Sequence, residues 1–311
     1  MNSQSTPAAR ILISGASGML GSALRGALTQ RGAEVIQLVR REPASSGELR
    51  WDPNAPVPIQ QAQTLEGMDA AIHLSGANLA AHRWTPQYLA EVTASRVEST
   101  WGLARALAGL REPPRSFLAA SAVGIYGNRK DEVVDESSGP GSGILADLCR
   151  AWEAAAAPAV EAGMRIAHLR FGVVLASRSG ALAQMLPIFR LGVGGRLGSG
   201  KQWMSWISLP DVVAGTMCVL DTPSLAGAIN LTSPQPVTNA EFTRALSRTL
   251  NRPAVFPVPP FALRIAFGRM ADEALLSSTR VIPRKLLEAG FQFAHASIDD
   301  ALADAFNMQR S

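Results

Sequence analysis

Three glycines spaced three residues apart follow the first apolar run of the chain. The segment Gly15-Ala16-Ser17-Gly18-Met19-Leu20-Gly21 comes directly after residues 10–14, which read as a buried strand, and opens a helical pattern. In this context Gly15 allows a tight turn, Gly18 lets backbone N–H groups approach a pyrophosphate, and Gly21 lets the helix pack against the sheet. The helix N-terminus offers further donors to phosphate. The pattern predicts a dinucleotide-binding loop with contacts from Gly15, Ser17, Gly18, Met19, Leu20 and Gly21.

Two arginines end the second predicted strand. Residues 34–39 are mostly apolar, and Arg40 and Arg41 follow where an NAD site usually places an acid that holds the ribose 2′-hydroxyl. A guanidinium instead matches the geometry of a phosphate. The sequence therefore favours NADP(H), with Arg40 ahead of Arg41 as the phosphate contact. The alternative is that both arginines are simply solvated.

Small residues follow the third predicted strand, which spans residues 69–74. A turn of small residues at the carboxyl end of a strand is where a doubly wound sheet lets a ligand approach. We expect His73 to be a packed or hydrogen-bonded residue. The predicted cofactor contacts in this turn are Leu74, Ser75, Gly76 and Ala77.

Segments spread over nearly the whole chain resemble the short-chain dehydrogenase/reductase superfamily. The branch that they resemble is the epimerase/dehydratase-like one, whose members range from the extended to the atypical type. In the first half these are ISGASGMLG at 13–21, HLSGANL at 73–79, SAVGIYG at 121–127 and LRFGVVL at 169–175. The later segments are GGRLGSGKQWMSWISLPD at 194–211, PPFALRIAFGRMADEALL at 259–276 and VIPRKLLEAGFQF at 281–293. These later segments are similar to a narrower family of NAD(P)-dependent epimerases or oxidoreductases of unknown substrate, with its C-terminal domain of unknown function.

The resemblance implies a catalytic serine, tyrosine and lysine. Ser polarises the substrate oxygen, and Tyr transfers a proton with a pKa lowered by a Lys four residues later on the same helix face. Ser121 matches the serine by position, at the end of the fourth predicted strand. The neighbouring strand ends add Ala120, Phe171 and Gly172 to the predicted cofactor contacts.

The helix that should carry the tyrosine and lysine has neither. Leu145 and Cys149 stand near the expected places, and the chain has only two tyrosines, of which Tyr126 alone is near Ser121. Tyr126 and Lys130 formally make a Tyr-x-x-x-Lys, but the Gly127-Asn128 between them predicts a turn, so the two should not share a helix face. Either Tyr126 has taken over proton transfer, or this chemistry has been lost or moved.

Several residues are candidates for contact with a substrate. Arg96 stands where relatives often place an asparagine, and the glycine-rich segment 194–211 could fold over the nicotinamide. Tryptophan and glutamine can sandwich and hydrogen-bond a ring, although a core position is the usual alternative for tryptophan. The predicted substrate contacts are Arg83, Trp84, Arg96, Gln202 and Trp203.

The elements that must position these residues alternate between strands and helices up to residue 175. This order predicts an α/β fold of Rossmann type, with a doubly wound parallel sheet covered on both faces. We place the NADP-binding domain at 10–175, with strands from the later chain free to join its sheet. Residues 176–306 then form a smaller, mostly helical substrate lobe, which includes a C-terminal helical segment at 256–306.

The composition excludes several other classes of protein. The only cysteines, Cys149 and Cys218, are far apart and the four histidines are scattered, so neither a disulfide framework nor a metal site is expected. The net charge of +4 is not gathered into runs, which argues against a nucleic-acid partner. No uninterrupted apolar stretch is long enough to span a membrane, and we expect a cytoplasmic protein. The sequence leaves the oligomeric state open.

Together these features predict an NADP(H)-binding oxidoreductase or epimerase-like enzyme that acts on a small carbonyl or sugar-like substrate. Ser121 is the first candidate for the active site and Tyr126 the second. The alternative is a sensor or scaffold that binds NADPH without turnover, which the missing Tyr/Lys pair favours. The fold does not identify the substrate.

Overall fold

The structure is a computed structural model that describes residues 8–53, 55, 59 and 61–307. Its strands are β1 Arg10–Ser14, β2 Glu34–Val39, β3 Glu48–Arg50, β4 Ala70–His73, β5 Ser116–Ala122, β6 Val133–Val134, β7 Arg165–Phe171, β8 Val173–Leu175, β9 Trp203–Met204, β10 Trp206–Ser208, β11 Gly227–Leu231, β12 Val237–Thr238 and β13 Arg280–Val281. Its helices are α1 Met19–Gln30, α2 Pro86–Ala108, α3 Ile144–Ala154, α4 Ala157–Glu161, α5 Gly180–Arg190, α6 Leu209–Asp221, α7 Asn239–Leu250, α8 Pro260–Phe267, α9 Arg284–Glu288 and α10 Ile298–Asn307.

Seven strands form one parallel sheet in the order β11-β7-β5-β4-β1-β2-β3. β1 pairs with β2 on one side and with β4 on the other, so the winding direction of the chain reverses at β1. Because all neighbouring pairs are parallel, the carboxyl ends of the strands lie along one edge of the sheet. In doubly wound sheets ligands bind outside this edge at the point of reversal. The predicted Rossmann-type α/β fold is confirmed.

Apolar side chains are buried on both faces of the sheet. Ile11 and Ile13 of β1 pack in the layer beneath α1 and α6. Leu12 points to the opposite face and packs with Phe117 of β5 in the layer beneath α2 and α4. Burial on both faces explains why the central strands read as continuous apolar runs with no alternation.

The C-terminal half of the chain adds a second core and also completes the sheet. Trp206 lies in a buried cluster with residues of α5, α7 and α10. β13 pairs with β6, and β11 pairs with β7, so later parts of the chain return to the first half. β11 lies in the region that the sequence analysis assigned to the smaller lobe, and it forms one edge of the central sheet.

One short strand is too brief to show a periodicity in the sequence. The four prolines of residues 42–60 favour a loop, but β3 lies within this range and extends the sheet beyond β2. Across the described residues, no helix combines the length and the hydropathy that crossing a lipid bilayer requires.

Candidate active site

The glycine loop joins the carboxyl end of β1 to α1. Gly15 has a φ of +72°, and a Cβ at this position would lie 2.9 Å from the carbonyl carbon of Leu74, so the turn accepts only glycine. Gly21 is buried in the first turn of α1, where a Cβ would overlap the carbonyl oxygen of Gly15. These two glycines let the start of α1 pack closely against the ends of β1 and β4.

The N-terminus of α1 faces this loop without a capping side chain. Gly18 is the N-cap residue, and no side chain bonds to the amides of the first turn. Such free N–H groups, together with the helix dipole, favour a negatively charged ligand. Ser17 and Gly18 are exposed, and Met19 and Leu20 are partly exposed. A cradle of exposed backbone at a helix N-terminus fits the pyrophosphate of a dinucleotide.

The two arginines after β2 have different surroundings. Arg41 forms a bidentate ion pair with Glu48, with N···O distances of 2.6 and 2.8 Å. These hydrogen bonds raise the pKa of Arg41 and lower that of Glu48. Arg40 is exposed, and within the described part of the chain it has no hydrogen bond or ion pair. Arg40 can therefore meet a phosphate without breaking an existing ion pair.

His73, at the end of β4, is a buried structural residue. Its Nδ1 lies 2.6 Å from the hydroxyl of Ser14, and its Nε2 lies 3.2 Å from that of Ser99. Burial lowers the pKa of His73 to about 3, so the imidazole is neutral at physiological pH. His73 therefore connects β4 to β1 and α2 by hydrogen bonds next to the carboxyl edge of the sheet. This agrees with the expectation that it is a packed or hydrogen-bonded residue.

The residues that follow β4 and β7 lie at the carboxyl edge. The backbone N–H of Ala77 donates to the Ser95 hydroxyl at 3.0 Å, which holds the turn after β4 against α2. A Cβ at Gly172 would lie 2.8 Å from the carbonyl oxygen of Ser205, so this position needs a small residue. Ala120 is buried, whereas the other predicted contacts on this edge are partly or fully exposed: Leu74, Ser75, Gly76, Ala77, Phe171 and Gly172.

Ser121, at the carboxyl end of β5, is bonded to a buried ion pair. Its hydroxyl donates to Oε1 of Glu153 on α3 at 2.7 Å. Glu153 also accepts Nε and Nη2 of Arg170, on the adjacent strand β7, each at 2.8 Å. Burial alone would raise the pKa of Glu153, but the hydrogen bonds and the charge of Arg170 outweigh it and hold that pKa below its usual value. Glu153 is therefore an ionised acceptor for the Ser121 proton at neutral pH.

Tyr126 supports the same ion pair from behind. Its hydroxyl donates to Oδ1 of Asn230 at 2.8 Å and accepts Nη1 of Arg170 at 2.9 Å. The side chain is completely buried, and burial raises the pKa of Tyr126 above its usual value although Arg170 partly offsets this. The phenol hydroxyl already donates one hydrogen bond and accepts another within the fold, which leaves it poorly placed to exchange a proton with a substrate. Of the two alternatives that the sequence left open, this geometry favours loss or relocation of proton transfer over Tyr126.

Lys130 does not lie on a helix with Tyr126. Tyr126 ends a single 3₁₀ turn at Val123–Tyr126, Gly127 follows with a φ of +61°, and Lys130 itself has a φ of +54°. The formal Tyr-x-x-x-Lys is thus a loop, as the turn residues predicted. On α3, Cys149 occupies the place where the family resemblance would put lysine. Burial raises the pKa of Cys149 to about 12, so its thiol is protonated and inert.

The residues predicted to contact a substrate fall into two groups. Trp84 is buried and its indole donates to the Leu79 carbonyl at 2.9 Å. The Gln202 amide is likewise buried and donates to two backbone carbonyls. These contacts disagree with the prediction that Trp84 and Gln202 face a substrate, because their polar groups are already used within the fold.

The remaining candidates keep exposed surface. Arg83 lies against the C-terminal segment, where a Cβ at Gly268 would be 3.3 Å from its Nε. The indole of Trp203 donates to Asp131 at 3.0 Å, and its ring lies 4.1 Å from the guanidinium carbon of Arg280. Arg96 and Trp203 are partly exposed and Arg83 is exposed.

Sequence reasoning missed the partners of Ser121. Glu153 and Arg170 are separated from Ser121 by 32 and 49 residues, and their contact depends on α3 packing across β5 and β7. A signal was nonetheless present. Arg170 lies within β7, a strand of the central sheet, and a charged residue in a strand is rarely buried without an ion-pair partner.

The chain matches two family models in succession. Residues 11–231 match the NAD dependent epimerase/dehydratase family, and residues 258–305 match a domain of unknown function, DUF1731. The chain is 46% identical over 295 residues to epimerase family protein Mb2239 of Mycobacterium bovis, a match that covers 95% of this chain and 97% of that protein.

Solved structures with the same fold include two proteins that are 33% and 34% identical to this chain. The crystal structure of human epimerase family protein SDR39U1 with NADPH matches with a TM-score of 0.86 and 33% identity, over 96% of this chain and 99% of that one. The nucleoside-diphosphate sugar epimerase from Corynebacterium glutamicum matches with a TM-score of 0.77 and 34% identity. That match covers 97% of this chain and 61% of the Corynebacterium chain.

Proposed function

Because this chain belongs to the NAD-dependent epimerase/dehydratase family, we propose that it binds NADP(H) and catalyses oxidoreduction or epimerisation of a small carbonyl or sugar-like substrate. The observation that carries the cofactor assignment is the uncapped N-terminus of α1 beneath a glycine turn, with Arg40 exposed after β2. The human relative was crystallised with NADPH, which supports the same choice. In this proposal the backbone of residues 15–21 holds the pyrophosphate and Arg40 binds the 2′-phosphate.

Ser121 is the residue that we assign to the substrate oxygen. NADP(H), when bound, supplies or accepts the hydride. Since the Ser121 proton is directed to Glu153, the serine oxygen keeps its lone pairs for a donor such as a substrate hydroxyl. As that hydroxyl is oxidised, its proton passes to Ser121 and the serine proton passes to Glu153. Glu153 and Arg170 hold this serine in one orientation, and Tyr126 in turn positions Arg170.

This route predicts a direction for the chemistry. Because the pKa of Glu153 lies below its usual value, the carboxylate is unprotonated at neutral pH, so the oxidation half-reaction should not require alkaline conditions to ionise its base. If a phenol such as Tyr126 were the base instead, it would be protonated at neutral pH because the usual tyrosine pKa is ~10. The rate of the oxidation half-reaction would then rise with pH. The pH profile therefore separates Glu153 from Tyr126 as the proton acceptor.

The experiment begins with the nucleotide that the purified protein carries, identified by mass spectrometry. Calorimetric titration with NADPH and NADH then gives the preference, and the proposal expects NADPH to bind more tightly. A screen of small carbonyl compounds, alcohols and nucleotide sugars, followed by NADPH absorbance in both directions and by epimer analysis, tests turnover. Ser121→Ala should abolish turnover while nucleotide affinity stays the same. Failure of NADPH to bind would refute the cofactor assignment.

The second candidate is an NADPH-binding protein without turnover. It is favoured by one specific observation, the absence of tyrosine and lysine from α3, which leaves the family's proton donor unreplaced at that position. Under this alternative NADPH binds more tightly than NADH, but no compound in the screen oxidises NADPH or reduces NADP⁺. Ser121→Ala would then leave nucleotide affinity unchanged, and neither the variant nor the wild type would show turnover.

A further inference from the structure

Arg96, on α2, lies between Trp152 of α3 and the turn that follows β4. A Cβ at Gly76 would be 3.4 Å from the guanidinium carbon of Arg96, so the arginine packs directly beneath that turn. On its other side, the guanidinium carbon lies 5.1 Å from the centre of the Trp152 ring. The indole of Trp152 donates to the Thr100 hydroxyl at 3.0 Å and is buried, which fixes the plane on which the arginine stacks.

The charge of Arg96 has no counter-charge in the described chain. Its Nη1 donates to the Val92 carbonyl at 3.2 Å, and no carboxylate forms an ion pair with it among the described residues. Burial lowers the pKa of Arg96, and the groups that partly oppose this shift are Cys149 and Tyr88, neither of which is a carboxylate. A partly desolvated guanidinium without an anion is costly, and an incoming anion would relieve that cost.

The position of the guanidinium relates it to the proposed active site. The Gly76 turn follows β4, and Cys149, which lies near Arg96, also approaches Gly124 just after β5. Arg96 is therefore beside the carboxyl ends of β4 and β5, on the same side as Ser121. Arg170, which lies nearby, forms an ion pair with Glu153. Of these two arginines, only Arg96 lacks a counter-charge among the described residues.

We propose that Arg96 forms a subsite for an oxyanion of the substrate, a carboxylate or a phosphate, next to the reacting oxygen at Ser121. A guanidinium offers two parallel donors that match such a group, and the bond from Nη1 to Val92 still leaves Nε and Nη2 of Arg96 without a partner among the described residues. This inference rests on the proposed function and narrows it, because the substrate then carries a negative charge as well as a carbonyl or hydroxyl group. A neutral substrate would leave the buried charge of Arg96 unsatisfied.

The test is binding of simple anions and needs no turnover. Inorganic phosphate and oxalate are titrated separately by calorimetry into the wild-type protein saturated with NADP⁺, at constant ionic strength. We expect saturable binding of at least one anion, weakened about tenfold or more in Arg96→Gln, since hydrogen bonds to charged groups contribute this much. Arg96→Lys, which keeps the charge but loses the paired donors, should bind with intermediate affinity.

Arg105→Gln is the matched control, because Arg105 also stacks on a tryptophan of α2, Trp101, at 4.9 Å. It should bind the anions as the wild type does, within about twofold. The inference is overturned if neither anion binds, or if Arg96→Gln and Arg96→Lys bind them like the wild type. It is also overturned if phosphate competes with NADP⁺ and Arg96→Gln weakens NADP⁺ itself, since Arg96 would then serve a cofactor phosphate. If NADP⁺ fails to bind, the proposed function fails, and the same anion titration on the nucleotide-free protein still decides the role of Arg96.

Discussion

Glu273 places its carboxylate at the N-terminus of α3, where Oε2 accepts the backbone N–H of Leu145 at 3.3 Å. Gly143, the N-cap residue of α3, has no side chain for this purpose, and a Cβ there would lie 2.7 Å from the same oxygen. Glu273 belongs to the segment that matches the domain of unknown function, whereas α3 carries Glu153. The C-terminal segment therefore caps the helix that holds the partner of Ser121.

Removal of this cap should destabilise the protein. Glu273→Ala is expected to lower the free energy of unfolding by about 1 kcal/mol, because α3 loses both an acceptor and a negative charge at its positive end. Urea unfolding followed by circular dichroism measures the difference. Glu91→Ala, at an exposed position within α2, should change it by less than about 0.5 kcal/mol. Equal losses in the two variants would show that the Glu273 contact does not stabilise α3.

The choice of cofactor should depend on Arg40 and much less on Arg41. Arg40→Gln is expected to weaken NADPH about tenfold, because the 2′-phosphate loses a charged donor. Arg41→Gln should have a smaller effect, since Arg41 is already paired with Glu48. Arg40→Asp should bring NADH closer to parity by offering an acceptor to the ribose hydroxyl. Calorimetry with both nucleotides measures these affinities, and an unchanged NADPH affinity in Arg40→Gln would rule out the assignment.

The glycine loop offers a prediction with a control on the same helix. Gly18 has an ordinary φ of −74°, and a Cβ there meets only the Gly15 carbonyl oxygen at 3.3 Å, so Gly18→Val should still fold. It should nevertheless abolish binding of both nucleotides, because the branched side chain fills the space of the pyrophosphate. Gly26→Ala, where a Cβ meets nothing within 4 Å, should bind normally and be slightly more stable. A folded Gly18→Val protein that still binds NADPH would place the nucleotide elsewhere.

The features that the sequence indicates most directly are those that depend on one short stretch of chain. Gly15, Gly18 and Gly21 lie in one strand–turn–helix connection, and Arg40 directly follows β2. The continuous apolar strands likewise indicated a sheet buried on both faces before any contact was known. Local patterns were sufficient for the fold and for the loop.

The hydrogen-bond network around Ser121 was not predictable in the same way. Ser121, Glu153 and Arg170 meet only through the packing of α3 on β5 and β7, and no spacing in the chain records that contact. Tyr126 is a candidate because it is the single tyrosine near Ser121 in the sequence. Its position in the chain does not show that its side chain is buried and faces away from the solvent. The buried Asn230 that binds its hydroxyl comes from β11, an edge strand that the sequence analysis did not identify.

Tyr126→Phe should act mainly on stability. Removal of the hydroxyl takes a hydrogen-bond partner from Oδ1 of Asn230 and from Nη1 of Arg170, and the free energy of unfolding is expected to fall by about 1–3 kcal/mol. NADPH affinity should stay within about twofold. Tyr88→Phe is the comparison, because the Tyr88 hydroxyl donates to the carbonyl of the exposed Asn78, where water can replace it. If Tyr126→Phe instead keeps full stability and loses about 100-fold in turnover, the phenol transfers the proton.

The ion pair between Glu153 and Arg170 should make stability depend on pH in a defined direction. Because the pKa of Glu153 is lower in the folded than in the unfolded chain, its stabilisation is present above the unfolded value of ~4.3 and is lost as pH falls through the folded value. At pH 7, Glu153→Gln should cost about 3–5 kcal/mol, since Arg170 stays buried and charged without its partner. The difference from the wild type should shrink as the pH falls below ~4.3.

Urea unfolding at a series of pH values from 7 to 3 measures this difference, and Glu153→Asp tests the role of charge. Asp keeps the carboxylate but shortens its reach, so it should restore part of the stability at pH 7 and keep the same sign of pH dependence. Gln keeps the size of the side chain but not its charge, so its deficit should be largest at neutral pH. A deficit of Glu153→Gln that is constant from pH 7 to 3 would mean that the pKa of Glu153 is the same in the folded and the unfolded chain, so Arg170 would not stabilise its ionised form. A deficit that grows as the pH falls from 7 would mean that the folded pKa is raised, and Glu153 could then not accept the proton of Ser121 at neutral pH.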